Sequence, residues 1–112
     1  MNERKTYRSD LLGEEHTLIH HKSGLDIYVF PKQLTTTYAV FSTEYGAADN
    51  RFRLAGDKEW VDVPDGVAHF LEHKMFANED GIDSFVKFGA LCSNANAYTS
   101  HDQTAYLFRC SE

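Results

Sequence analysis

His69, Glu72 and His73 stand in the run Ala68-His69-Phe70-Leu71-Glu72-His73, an H-x-x-E-H spacing. Successive helical residues turn by about 100°, so positions i, i+3 and i+4 share one face. Two imidazoles four residues apart can close on one metal ion, and a carboxylate between them lies in reach of the ion's open position. This is the H-E-x-x-H arrangement read in the opposite direction. The chemistry it offers is metal-assisted hydrolysis, with Glu72 as the group that moves a proton. The competing reading is a coincidence of polar residues on an amphipathic helix.

A helix must carry this triad, and the flanking sequence provides for one. Pro64-Asp65 signals its start, and it is expected to end before Asn78. Val67, Phe70, Leu71 and Phe76 form an apolar stripe beside the histidine face. A second helix over 82–89 is expected, capped by Asp80 or Asp83, with Ile82, Phe85, Val86 and Phe88 apolar and Gly89 at its carboxyl end. The first stripe is expected to be buried together with Phe85 and Val86. Strands are read over 16–20 and 25–30, with the turn Lys22-Ser23-Gly24 between them, and over 35–45. Two more, over 91–99 and 104–110, flank Ser100-His101-Asp102-Gln103. Residues 46–58 read as a polar loop and 1–14 as a flexible lead-in. The expected class is α+β: an antiparallel sheet with helices packed on one face.

The chain of 112 residues is long enough for one domain with a modest core. Its net charge of -6, with no basic stripe, argues against nucleic acid as a partner. No apolar run approaches a membrane span, so no membrane role is expected. The polar, mixed-charge start does not resemble a signal or transit peptide, and a reducing cytoplasm is the expected location. Cys92 and Cys110 are too few for a disulfide framework. They could meet across a hairpin, but two buried thiols are the expected state. His16, His20 and His21 sit in a stretch that suits a strand better than a helix. They, His101 and Lys74 are read as surface residues.

The run Asp65-Gly66-Val67-Ala68-His69-Phe70-Leu71-Glu72-His73-Lys74-Met75-Phe76 resembles the metal-binding helix of the pitrilysin/insulysin (insulinase-like) family of inverted zinc peptidases. A second match follows in Asn96-Ala97-Tyr98-Thr99-Ser100 and Thr104-Ala105-Tyr106, similar to the family's "NA-x-T" strand and its return strand. Ser23-Gly24-Leu25 stands where members have Asn-Gly-Leu. The resemblance covers most of residues 16–110. The insert between Gly46 and Asp65, with Asp49-Asn50-Arg51-Phe52, is most similar to a bacterial branch of the family.

The resemblance implies a zinc-dependent endopeptidase or oligopeptidase. His69 and His73 would be zinc ligands, and Glu72 the general base and later the acid toward the leaving amine. Asn96 and Ala97 would lie on the strand edge that receives an extended peptide substrate by main-chain hydrogen bonds. The small Ala95 and Ala97 would let that peptide come close. The third zinc ligand, a glutamate on a later helix, has no match before Glu112. The family's second half, which closes over the substrate, is also absent. The chain is therefore expected to be an amino-terminal part of a larger peptidase, with little activity alone and needing a carboxyl-terminal half or a partner subunit. A non-catalytic partner subunit and a structural metal-binding domain are the alternatives. The intact triad speaks against the first, and two histidines without nearby cysteines against the second.

Overall fold

The computed structural model describes residues 3–91 and 94–111. The chain divides into two compact units, Met1–Leu34 and Thr35–Glu112. The strands expected in one sheet are hydrogen-bonded in two separate three-stranded sheets, one in each unit, both antiparallel. The α+β class holds.

In the first unit, β1 (Glu3–Ser9), β2 (Glu14–His20) and β3 (Asp26–Val29) lie in the order β1-β2-β3. The expected flexible lead-in is corrected here: β1 pairs with β2 along its whole length, from Glu3 opposite His20 to Ser9 opposite Glu14. The lead-in reads as unstructured because its residues are polar. A ladder needs only main-chain partners and compatible cross-strand neighbours. Tyr7 stacks on His16 at 5.1 Å between centroids, His16 stacks on Phe30 at 5.1 Å, and the Thr6 and Thr17 hydroxyls meet at 3.2 Å.

The second unit holds β4 (Thr36–Thr43), β5 (Arg51–Phe52), β6 (Val61–Asp62), α1 (Val67–Phe76), α2 (Ser84–Ala90), β7 (Asn94–Thr99) and β8 (Thr104–Ser111). The sheet order is β4-β8-β7, so β7 is an edge strand, and β5, inside the expected loop, pairs with β6 just beyond it. Gly46 ties the start of that insert to the turn after β7. A Cβ at Gly46 would stand 2.5 Å from the backbone of Asp102 and Gln103, so only glycine fits. Ala47 and Ala48 then donate their N–H groups to the carbonyls of Ser100 and His101 at 2.8 and 2.9 Å.

Both helices pack on β7, and α1 also on β8. Side chains alternate across a strand, and cross-strand partners share a face. Ala95 lies opposite Phe108, Ala97 opposite Tyr106, and Thr99 opposite Thr104. Phe76 stacks on Phe85 at 4.2 Å and approaches Tyr106 at 5.9 Å, while Phe88 meets Phe108 at 6.1 Å. Ala95, Ala97, Thr99, Tyr106 and Phe108 therefore form the helix-facing side.

The expected burial of the Val67, Phe70, Leu71 and Phe76 stripe is overturned in part. Ala68 and Glu72 are the buried residues of α1; Phe70 and Leu71 are exposed, as are Phe85 and Val86. The helix turns Ala68, Glu72 and Phe76 to the sheet, positions i, i+4 and i+8. The histidines flank this line on one side, and Val67, Phe70 and Leu71 on the other. There they border an apolar groove of about 550 Å³ with Tyr45, Phe52 and Leu54. The small residue at 68 sets the choice, because Ala68 lets the helix approach the sheet more closely than Phe70 or Leu71 would.

Candidate active site

Helix α1 begins without a side-chain cap. Gly66 takes a left-handed φ of 90° at its amino end, and the Asp65 carboxylate instead accepts from Asn50 Nδ2 at 2.5 Å. The expected start at Pro64-Asp65 is thus two residues early. Asp65 is bound to the insert, and glycine supplies the positive φ that opens the helix. The second helix follows its expectation: the Asp83 side chain accepts from the Phe85 N–H at 2.7 Å.

One turn of α1 brings the two histidine rings together. Their centroids are 4.9 Å apart and their Nε2 atoms 3.1 Å apart. One neutral imidazole can donate to the other at this distance. The spacing also approaches the separation, about 3.3 Å, of two nitrogens bound at 2.0–2.1 Å to one tetrahedral ion. Both histidines are exposed. The donor set of paired imidazoles is one zinc favours. Among the described residues no group of three or more His, Cys, Asp or Glu side chains converges on a common point. Two nitrogen donors are present where a catalytic zinc site takes three protein ligands and a water.

Glu72 differs from its neighbours in being 7% exposed. Its Oε2 accepts a hydrogen bond from Thr99 Oγ1 at 2.6 Å, linking α1 to β7 across 27 residues of sequence. The carboxylate is therefore tied to the strand and not free on an open helix face. Burial, and then the nearby Glu72 charge, push the Tyr106 hydroxyl above the usual tyrosine range. Sequence reading missed both Thr99 and Tyr106 as neighbours of Glu72. The strand period offered a signal: 95, 97 and 99 must share a face, and that face meets the helix.

Asn96 and Ala97 lie in the middle of β7. The Ser100 N–H donates to the Gln103 carbonyl at 2.8 Å, which sets the alternation of the ladder. Ala95, Ala97 and Thr99 then direct their main-chain groups to the free edge. The Ala97 N–H is taken up by Asn96 Oδ1 at 2.9 Å. Asn96 itself is exposed on the face away from the helices. The half-buried side chains of Ala95 and Ala97 turn to the helices, opposite Phe108 and Tyr106, so their small size makes room under α1 and α2.

The histidines of the first unit have partners of their own. His16 is stacked among aromatic rings, His20 Nδ1 lies 2.5 Å from Asp26 Oδ1, and His21 Nδ1 lies 2.7 Å from Ser23 Oγ. Lys74 is exposed, as is His101 in the turn after β7. Cys110 on β8 is a free thiol; Cys92 lies outside the described residues. No helix among the described residues is long and apolar enough to cross a membrane.

Residues 61–112, which include α1 and β7, match the insulinase family, peptidase family M16. The chain is 55% identical over 97 residues to a Bacillus subtilis (strain 168) protein named uncharacterized zinc protease YmfH, covering 84% of this chain and 22% of that protein. It superposes with a TM-score of 0.73 and 38% identity on a crystal structure from Alicyclobacillus acidocaldarius described as an M16-like peptidase, covering 99% of this chain and 23% of that one. The chain thus spans less than a quarter of either relative's length. In sequence and in fold, the chain belongs to the insulinase-like M16 peptidase family.

Proposed function

We propose that this chain supplies the zinc-binding helix, the general base and the substrate edge of an M16 peptidase, both of its units being parts of one peptidase domain. The observation that carries the reading is the pair of Nε2 atoms 3.1 Å apart beside a buried, hydrogen-bonded Glu72. His69 and His73 would hold the ion through neutral imidazole nitrogen. Zinc, when bound, supplies Lewis acidity and lowers the pKa of a coordinated water toward about 7. Glu72 takes the proton from the attacking water and returns it to the leaving amine. Its burial limits the access of bulk water to the carboxylate. Asn96 and Ala97 belong to the edge strand β7, whose outward main-chain groups, the Ala97 carbonyl among them, suit an extended peptide. A third ligand, and a part that closes over the peptide, would come from the remainder of an M16 enzyme, and with two histidines alone the chain would bind zinc weakly and turn over little. The zinc protease name carried by the Bacillus subtilis relative supports the zinc peptidase reading.

Calorimetric titration of the chain with zinc tests the metal assignment. One weak site is expected, lost in both H69A and H73A. Binding that survives both substitutions would overturn the assignment and point to the histidines of the first unit.

A further inference from the structure

Thr99 is the described residue whose hydroxyl donates to Glu72, at 2.6 Å. It occupies the last position of β7, on the helix-facing side, opposite Thr104. That end of the strand is fixed on several sides. Ser100 is bound to Gln103, Ala47 to Ser100, and the Thr104 hydroxyl to the Tyr45 carbonyl at 2.8 Å. A β-branched side chain on such a backbone has little χ1 freedom. Glu72 has the opposite character, since the terminal torsion of a glutamate is broad and roughly two-fold. Without a partner, its two oxygens would exchange places and directions.

We propose that Thr99 is a positioning residue for the proton transfer: its hydroxyl holds Oε2 of Glu72 and so leaves the other oxygen, Oε1, to receive the proton of the attacking water. The inference rests on the reading of Glu72 as the general base. A hydroxyl suits the task because it donates to the carboxylate and can keep that bond when Oε1 carries a proton. Thr99 also lies three residues after Asn96 on the same strand. The edge offered to the peptide and the support of the base are thus one rigid element. A peptide that adds to β7 would dock onto the strand that orients Glu72.

The test compares T99V, which keeps the shape and loses the hydroxyl, with T99S, which keeps the hydroxyl, and with E72Q. Peptide cleavage and zinc content are measured in a full-length enzyme carrying this chain. T99V is expected to retain zinc and to lower kcat about 10- to 100-fold with KM within about two-fold, and T99S to restore most of kcat. In the 112-residue chain itself, the Glu72 side-chain carboxyl carbon should show a deuterium isotope shift in wild type and T99S, absent in T99V. Near-normal kcat in T99V, failure of T99S to rescue, or no isotope shift in wild type overturns the positioning role. If E72Q abolishes turnover while T99V does not, the base stands and Thr99 falls. If E72Q itself keeps turnover, the reading of Glu72 fails and the inference with it.

Discussion

Replacing Glu72 by glutamine separates chemistry from architecture at this site. Glu72 is 7% exposed and its Oε2 accepts from Thr99 at 2.6 Å. A glutamine has the same length, and its carbonyl oxygen can accept the same bond, so E72Q should fold with a stability change within about 1 kcal/mol, the size of one net hydrogen bond. Alanine would be the poorer probe. It would strand the half-buried Thr99 hydroxyl, at about 1–3 kcal/mol, and open a cavity against β7. The amide of E72Q cannot take a proton from water. Turnover should fall by about 10²- to 10⁴-fold, which is about 2.7–5.4 kcal/mol of lost transition-state stabilisation. The assay is peptide cleavage in a full-length enzyme carrying this chain, with zinc content and thermal unfolding measured on the same preparations. KM should stay within a few-fold, because the proposed peptide edge lies on β7 and not on the carboxylate. Near-normal turnover would refute Glu72 as the base. Loss of zinc in E72Q would make Glu72 a ligand and require the mechanism to be redrawn.

Two further outcomes follow from the packing. Gly46→Ala places a methyl group 2.5 Å from backbone atoms of the turn after β7 and should destabilise the chain by about 1–3 kcal/mol. Gly89→Ala, with nothing within 4 Å and a helical backbone, should instead stabilise it by about 0.5–1 kcal/mol in the same denaturation series. Tyr106 has a folded pKa above its unfolded value of about 10, because burial and then the Glu72 charge oppose ionisation. Its contribution is therefore fully present below about pH 10 and lost as pH rises through the folded value. Y106F should remove this alkaline loss, as followed by unfolding midpoints between pH 8 and 11; an unchanged pH profile would dismiss the assignment.

Local periodicity was sufficient for the parts of the site that lie on one element. A helix over 67–76 necessarily places residues 69 and 73 one turn apart, so the histidine pair could be read before any coordinates, as could the β7–β8 hairpin; the second cap could be narrowed to Asp80 or Asp83, and the structure gives it to Asp83. What could not be read depends on partners distant in sequence. Helical spacing put Glu72 beside the histidines, but its burial follows from Ala68 facing the sheet, and its orientation from Thr99, 27 residues away. The apolar stripe misled for the same reason: hydrophobicity marks residues that favour cover, while close approach at Ala68 decides which side of the helix receives it. The polar residues 3–9 became a strand because β2 offered them a ladder, a main-chain property that side-chain composition does not carry. The site thus divides by physical range. Covalent periodicity alone sets the two imidazoles side by side, and only tertiary packing decides that the carboxylate between them is buried and held by the strand whose edge lies open.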